Sequence, residues 1–271
     1  MAQEHYEDQE EPGSEAKQSN AKEDRHFVTA LARGLDVLSC FRSGEKTLGN
    51  QELAERTKLP KSTISRLTYT LTKLGYLDYD DHIGKYRLGT ASLALGSAML
   101  SKLDIRQYAR PYMQELADFS RATVSLGMRD RLSMIYIENC RSEAALTLRL
   151  DVGARIPIAQ TAMGRAYLAE TTPAERNDIL EHVRELDEAK WPSVRDGVTR
   201  SLEEYSTLGC CTSFGDWQAD VNAIAVAFRP ANGGAILSIN CGGPAFNLSP
   251  EFLLGEVKPR LLALVERLQR G

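Results

Sequence analysis

The sequence contains little that would direct the chain to a membrane or to an oxidising compartment. It has no apolar run of the signal-peptide type, and its uncharged stretch from Leu88 to Ser101 is only fourteen residues long. A helix that spans a bilayer needs roughly 20 apolar residues. Cysteines number five, an odd and irregularly spaced set that favours free thiols in a reducing compartment. We therefore predict a soluble, cytoplasmic protein.

Residues that would hold a metal or a nucleophile in place are also scarce. The four histidines form no pair at helical spacing; they stand at positions 5, 26, 82 and 182. Cys210 and Cys211 have neither a second cysteine pair nor a nearby histidine, so packed or pocket-lining thiols are favoured over zinc ligands. The serines at 125, 133 and 213 have no nearby histidine, and no G-x-x-x-x-G-K loop occurs. We predict no catalytic residue, no metal and no cofactor.

The sequence also has no overall excess of one charge, with 33 basic and 37 acidic residues and a formal charge of -4. This average conceals two regions of opposite sign. Residues 1–26 hold eight acidic and three basic residues and almost no apolar side chains, which predicts a disordered acidic tail. Residues 27–90 hold ten basic and seven acidic residues. A modestly basic module therefore follows the tail, and its sign is compatible with a phosphate-bearing partner.

Within this module, two short helical patterns follow each other closely in the stretch NQELAERTKLPKSTISRLTYTL. Gly49, with Glu52 three residues later, predicts the start of one helix. Pro60 prevents a simple continuation of that helix but suits the start of the next. An apolar stripe from Thr29 to Phe41 predicts a further helix before them. Lys58 occupies a turn position often held by glycine, so we expect a modest strain there.

The second helix of the stretch has two contrasting faces. One face is predicted to be buried and consists of Ile64, Leu67, Leu71 and Leu74. The other bears hydroxyls, a guanidinium and a phenol, and no acidic residue that would repel phosphate occurs between Glu55 and Asp78. We predict that this face binds DNA, with Arg66 forked onto guanine, through Lys61, Ser62, Thr63, Ser65, Arg66 and Tyr69. An ordinary helical hairpin with a polar face is the alternative.

The stretch YLDYDDHIGKYRL after this helix predicts a small β-hairpin that turns through residues 82–84. Three helices followed by such a hairpin indicate a winged helix-turn-helix. Lys85 and Arg87 are predicted to contact phosphates. Asp80 and Asp81 are unfavourable there, so we expect the wing to contribute little affinity.

The rest of the chain predicts a linker and an α+β domain. Small residues mixed with Leu and Met from 88 to 101 favour a helix in a dimer contact, with an intramolecular core helix as the alternative. Pro111 predicts a break or a fresh helix start. Beyond Ser120, TVSLGMRD and LSMIYIEN predict one hairpin, and VNAIAVAFR and AILSINCGG predict another. Helices are predicted between the hairpins and from Ser249 onward, giving an antiparallel sheet flanked by helices.

Five stretches carry a resemblance to a known family: ALARGLDVLSCF, LGNQELAERTKLPKSTISRLTYTLTKLGYL, KYRLGTASLALG, DVGARIPIAQTAMGRAYLAE and VNAIAVAF. In their order and spacing, residues 27–270 resemble transcription regulators of the IclR (isocitrate lyase regulator) family. The resemblance implies a winged helix-turn-helix DNA-binding domain, a linker helix and a GAF/PAS-like effector domain. We place them at 27–89, 90–119 and 120–271, after a tail at 1–26. It also implies dimers, often paired into tetramers on operator DNA.

The start of one predicted helix is suited to an anionic ligand. Thr161 is a plausible N-cap, and the small residues that follow it leave the first amides of the helix accessible. A plain capped helix packed on the sheet is the alternative. The resemblance implies effector contacts at three places, which comprise Ala162 and Met163, Ser213 and Ala223, and Ser238 and Asn240. Ser213 stands where some relatives carry an acid, and Ala223 stands where a cysteine can occur.

The aromatic residues near these positions indicate what kind of acid the pocket takes. The loop after Ser213 brings Phe214, Asp216 and Trp217, and the facing hairpin brings Met128, Met134 and Tyr136. Such a lining favours an aromatic or otherwise hydrophobic carboxylate over a very small acid. We therefore predict a ligand-responsive regulator of a catabolic operon that senses a small organic acid. The alternatives are a small-molecule-converting enzyme with a helical tether, and a partner-binding adaptor without DNA affinity.

Overall fold

The computed structural model describes residues 26–41, 45–143, 150–231 and 233–270. The predicted acidic tail lies outside the described residues, except for its last position. One residue of the second predicted hairpin turn, Asn232, also lies outside them.

The chain begins with a small module of three helices and a hairpin. Its elements are α1 (Thr29–Ser39), α2 (Asn50–Thr57), α3 (Lys61–Lys73), β1 (Leu77–Asp80) and β2 (Lys85–Leu88). The two strands pair antiparallel, with Tyr79 opposite Tyr86. This order confirms the predicted winged helix-turn-helix.

The tight connection between α2 and α3 follows from the local sequence. The Glu52 carboxylate accepts a hydrogen bond from the Gly49 amide at 2.7 Å, which completes the predicted helix start. Lys58 ends α2 with φ of 55°, the left-handed conformation that the sequence predicted. Pro60 then precedes the first residue of α3, where its missing N–H is harmless.

The core of this module is small, and several apolar residues stay outside it. Val37, Leu53 and Ile64 are fully buried. Leu74 was predicted to share that core, and this is wrong, because it lies on the last turn of α3 and is 61% exposed. Leu31 of α1 is 63% exposed as well. An apolar surface thus remains open between α1 and α3.

Two helices connect the module to the rest of the chain. Helix α4 (Thr90–Leu100) has no buried residue, whereas α5 (Asp104–Ser120) packs against the sheet of the second domain. The predicted break at Pro111 is wrong, because α5 continues through it. Proline removes one backbone donor, but Ala109 and Met113, on either side of it, are buried against the sheet and keep the helix continuous.

The second domain is built on one antiparallel sheet of six strands in the order β5-β4-β3-β8-β7-β6. The strands are β3 (Thr123–Asp130), β4 (Ser133–Arg141), β5 (Arg155–Pro157), β6 (Cys211–Phe214), β7 (Val221–Phe228) and β8 (Leu237–Pro244). The hairpins β3–β4 and β7–β8 confirm the two predicted ones. Strands β5 and β6 were not predicted, because three or four residues are too few to show an alternating pattern.

Helices cover both faces of this sheet and confirm the α+β class. They are α6 (Ala162–Glu170), α7 (Pro173–Leu186), α8 (Trp191–Leu208), α9 (Pro250–Phe252) and, after a π-helical turn at Leu253–Val257, α10 (Lys258–Arg270). Helices α5 and α10 bury one face of the sheet, and α6 buries the other together with α8. Ser249 caps the C-terminal helix as predicted, since its hydroxyl accepts from the Phe252 amide at 3.2 Å.

Candidate functional site

The first candidate surface is the outward face of α3. Five of its six predicted DNA-binding residues are exposed, and the sixth, Thr63, is half-buried. The exposed ones are Lys61, Ser62, Ser65, Arg66 and Tyr69. Ile64, Thr68 and Leu71 hold the opposite side of the helix in the core. The face therefore projects its hydrogen-bonding groups outward from a fixed helix.

The beginning of α3 keeps its backbone donors available. Pro60 stands at the N-cap and offers no side-chain acceptor to the first amides of the helix. The Ser65 hydroxyl donates to the Lys61 carbonyl at 3.0 Å, and Asn50 of α2 approaches Ser65 at 3.5 Å. A positive helix end beside Lys61 is a favourable position for a phosphate group.

The hairpin is electrostatically different from α3. Lys85 forms an ion pair with Glu52 at 3.0 Å, and Arg87 forms one with Asp78 at 3.5 Å. Both predicted phosphate contacts of the wing thus have acidic partners within the module. Their positive charge is largely compensated, in line with the low affinity expected of the wing.

The second candidate site is a cavity between the sheet and the start of α6. It comprises about 530 Å³ of space between atoms when the open solvent at its mouth is included, and its water-accessible interior is about 40 Å³. Six of the nine predicted effector contacts line it, namely Tyr136, Ala162, Ser213, Trp217, Ala223 and Asn240. The antiparallel register explains how distant parts of the sequence meet here, since Ser213, Ala223, Gly242 and Thr123 face one another in a row across β6, β7, β8 and β3.

The helix start at the cavity is shaped by its first four residues. The Thr161 hydroxyl accepts from the Gly164 amide at 3.2 Å and donates to the Pro157 carbonyl at 2.8 Å, so the predicted N-cap is confirmed. A side chain at Gly164 would place its Cβ 2.0 Å from the Ile158 carbonyl oxygen, so only glycine allows this approach. The amides of Ala162 and Met163 form no hydrogen bond within the part of the chain that the structure describes.

The opposite wall of the cavity is polar and buried. Ser125 and Asn240 are register partners on β3 and β8, and Tyr136 lies beside them on β4. Burial raises the pKa of the Tyr136 phenol, and hydrogen bonding with Asn240 and Ser125 opposes this only in part. Asn240 is 8% exposed, and its carbonyl oxygen has no hydrogen-bond partner among the described residues. A buried unpartnered acceptor is costly, and a ligand that donates a hydrogen bond would satisfy it.

Three predicted effector contacts lie beside the cavity and not on its surface. Met134 and Met163 are fully buried in the core under α6, and the Ser238 side chain is buried in β8. Met128, Phe214 and Asp216 are likewise absent from the lining. Their contact with a ligand stays a prediction. The cavity is also lined by Thr123, Gly242 and Gly243, which were not predicted. No local pattern indicates them, because only the strand register brings them to the cavity.

No lysine, arginine or histidine lines this cavity in the described parts of the chain. The nearest feature that can bind a negative charge is therefore the start of α6, whose amides and dipole favour an anion. The Tyr136 phenol can add a hydroxyl hydrogen bond, whereas the hydroxyls of Thr161 and Ser125 already donate to the Pro157 carbonyl and to Asn139 Oδ1.

The cysteines do not form a further site. All five are buried, four of them (Cys140, Cys210, Cys211 and Cys241) as free thiols, and burial raises the pKa of Cys210 to about 11. The described ranges contain no group of three His, Cys, Asp or Glu residues that could hold a metal ion. They also contain no helix long and apolar enough to cross a bilayer.

Comparisons with known proteins match both domains of the chain. Residues 30–81 match the model of the IclR helix-turn-helix domain, and residues 97–270 match that of the bacterial transcriptional regulator IclR C-terminal domain. The HTH-type transcriptional regulator TsaQ1/TsaQ2 of Comamonas testosteroni is 36% identical over 245 residues, which cover 90% of this chain and 88% of the relative.

Solved structures extend this likeness to three dimensions. An IclR family transcriptional regulator from Brucella abortus has a TM-score of 0.80 and 47% identity, over 94% of this chain and 96% of its own. An IclR homolog from Microbacterium hydrocarbonoxydans, complexed with 4-hydroxybenzoate, shares the fold at 22% identity, with a TM-score of 0.67 over 89% of this chain and all of its own. The chain belongs to the IclR family of DNA-binding transcription regulators.

Proposed function

We propose that this regulator binds operator DNA through α3 and senses a small organic acid, preferably an aromatic carboxylate, in the cavity at the start of α6. The observation that carries the proposal is the pairing of an exposed, acid-free helix face with a buried cavity whose anion-binding groups are amides and hydroxyls. The proposal includes that the regulator acts in the cytoplasm and controls a catabolic operon. The domain limits 27–89, 90–119 and 120–271 are part of the proposal.

On DNA, the six predicted residues of α3 would contact different chemical groups. Lys61 and the first amides of α3 would hold a phosphate, and Arg66 would pair with a guanine edge in the major groove. Ser62, Ser65 and Tyr69 would complete the contact. Lys85 and Arg87 would approach phosphates only when they release their carboxylate partners.

In the cavity, the ligand carboxylate would accept hydrogen bonds from the amides of Ala162 and Met163. Its ring would lie against Trp217 and above Ala223, and a polar substituent would reach Asn240 and Tyr136. The 4-hydroxybenzoate bound by the Microbacterium homolog has this arrangement of groups and is the natural first probe. The predicted contacts of Ser238 and Met134 would be indirect, through the neighbouring strands, whereas Ser213 lines the cavity and would contact the ligand itself.

We also propose that two copies associate through the apolar surface of the first module. Helix α4 exposes Leu93, Leu95 and Met99, and it lies beside the groove between α1 and α3. Exposed apolar surface of this extent is typical of an interaction site. A homodimer would present two α3 helices to half-sites about 34 Å apart on DNA. Tetramers would be pairs of such dimers.

Two measurements test the proposal. Thermal-shift screening against organic acids should give a rise in melting temperature with aromatic carboxylates, since a ligand stabilises the state that it binds. Binding to a duplex from the region upstream of its own gene should weaken steeply with salt. Absence of both effects would contradict the proposal, and absence of salt-dependent duplex binding alone would favour the adaptor hypothesis.

The proposal includes that the bound acid is returned unchanged. Incubation of the protein with the acid that gives the largest thermal shift, followed by chromatography, should recover the acid quantitatively. Appearance of a product would favour the enzyme hypothesis instead.

A further inference from the structure

The loop that carries Trp217 is fastened to two helices by a single carboxylate. Six residues, 215–220, join β6 to β7, and we call them the Trp217 loop. Its base is closed by the Gly215 amide, which donates to the Val221 carbonyl at 3.0 Å. The half-buried Trp217 side chain forms part of the cavity lining. The position of this loop therefore determines one wall of the effector pocket.

Asp216 provides the fastening. Its Oδ2 atom accepts hydrogen bonds from Arg165 Nη1 of α6 and from Arg200 Nη2 of α8, the latter at 2.9 Å. The Asp216 side chain is 27% exposed, whereas that of Arg165 is 3% exposed. Because a buried guanidinium is costly without a partner, the pair with Arg165 dominates. Arg200 is mostly exposed and contributes less.

Arg165 is held in one orientation by its surroundings. Its Nε atom donates to the Ala159 carbonyl at 3.1 Å, and its Nη1 atom also donates to the Thr212 carbonyl at 3.2 Å. Helix α8 crosses the guanidinium at Gly197, where a Cβ atom would lie only 2.4 Å from Arg165 Nη2. The absence of a side chain at Gly197 thus makes room for the guanidinium that reaches Asp216.

Arg165 and the anion-binding amides belong to the same helix. Arg165 lies one turn after Ala162 on α6, and both are buried. The start of α6 and the Trp217 wall therefore share one anchor. A bound acid would touch the two parts that this anchor holds together.

We infer that Asp216 is a positioning residue of the effector pocket, which fixes the Trp217 loop to Arg165 and so retains the ligand. This inference rests on the proposed effector function of the same cavity. Asp216 itself does not line the cavity, so its effect is transmitted through Trp217. Loss of its charge would free the loop and speed the release of a bound acid.

The two tryptophans of the chain allow a direct test. In a Trp191→Phe background, Trp217 is the single fluorescent reporter. Asp216→Asn should increase acrylamide quenching of Trp217 without ligand, and should raise the stopped-flow release rate of 4-hydroxybenzoate about tenfold, as expected for a broken buried charge pair. Asp216→Glu should restore both values. The matched control is Asp196→Asn, which removes an exposed carboxylate of α8 whose partner is Arg195.

A second variant separates a positioning role from a loss of folding. Gly197→Ala keeps every charge but displaces the Arg165 guanidinium, so it should reproduce the increased quenching and the faster release. Unchanged quenching and release in folded Asp216→Asn would overturn the inference, and so would increased quenching with unchanged release. If wild-type protein binds none of the acids tested, the proposed effector function fails, while quenching of Trp217 in ligand-free protein still decides whether Asp216 holds the loop.

Discussion

The starts of α3 and α6 are two helix ends with the same polarity and opposite surroundings. At α3 the first residues are exposed, the N-cap is a proline, and Lys61 and Arg66 add positive charge. At α6 the first residues are buried, Thr161 caps the helix, and no cationic side chain lines the cavity among the described residues. Both ends favour anions through their backbone dipole.

The difference indicates two ways of binding a negative group. An exposed helix start needs mobile side-chain cations, because water screens the helix dipole and DNA carries many phosphates. A buried helix start needs no side-chain cation, since a few amides in a low-dielectric pocket suffice to bind one carboxylate. Four predictions test this contrast.

Salt should separate the two ends most clearly. If a dimer makes about six phosphate contacts, affinity for a duplex should fall about 10³-fold between about 50 and 200 mM salt. Affinity for 4-hydroxybenzoate should change little over the same range, because its carboxylate is bound out of solvent. Titrations by fluorescence anisotropy and by calorimetry measure the two slopes. Equal salt dependence of DNA binding and of 4-hydroxybenzoate binding would contradict the proposed difference between the two helix starts.

Replacing Arg66 by alanine should weaken operator binding by roughly 1–3 kcal/mol, because a forked contact with guanine is lost. A gel-shift titration at fixed salt measures this, and circular dichroism checks the fold. Arg195→Ala, which removes an exposed arginine of α8, is the matched control. Effector affinity should be the same in all three proteins. Full operator affinity in folded Arg66→Ala would contradict the role of Arg66.

Ala162→Pro tests whether backbone amides hold the ligand at α6. Proline suits the first position of a helix but removes its N–H, and the extended Thr161 before it tolerates proline. We expect an affinity loss for 4-hydroxybenzoate of about tenfold, in the range for a lost hydrogen bond to a charged group. Ala162→Val adds comparable volume and keeps the N–H. The amide hypothesis requires a larger loss for proline than for valine, by calorimetry.

The smallest effect concerns pH. An ordinary tyrosine ionises near pH 10.0, but burial raises the pKa of Tyr136, so its phenol stays protonated through that value. Affinity for 4-methoxybenzoate, which has no titrating phenol of its own, should therefore remain constant from about pH 7 to 10 if the fold does. A decline near pH 9, with unchanged circular dichroism, would show that the cavity wall is more hydrated than this structure indicates.

The sequence predicted the exposed surface more completely than the buried one. The face of α3 follows from helical period alone, so five of its exposed residues were named in advance. The cavity depends on register, which places Thr123 of β3 in line with Ser213 of β6 across two intervening strands. No local sequence pattern indicates that these distant residues lie side by side. The short strands β5 and β6 were missed for a related reason, since three or four residues do not show a period.

The helix starts were predictable because their signals are local. Gly49 with Glu52, Thr161 and Ser249 each identified a helix start that the structure contains. The break predicted at Pro111 was wrong, because the burial of α5 against the sheet outweighs the local preference of proline. Met163 was assigned to the pocket by the family resemblance, and Met134 was assigned to it as a residue of the facing hairpin. Which side of a buried chain faces a cavity is decided by packing.

The row of Ser213, Ala223, Gly242 and Thr123 has a consequence for how this family diversifies. Each member comes from a different strand, and the main-chain ladder that aligns them is indifferent to the side chains it carries. A replacement at Ser213 or Thr123 can alter the shape of the floor while the strands stay in register, whereas a Cβ atom at Gly242 would lie 2.8 Å from that of Ala223. Under the proposed function, the two outer strands of the row are therefore where a single substitution would change which acid is accepted, at a distance from the residues of α3.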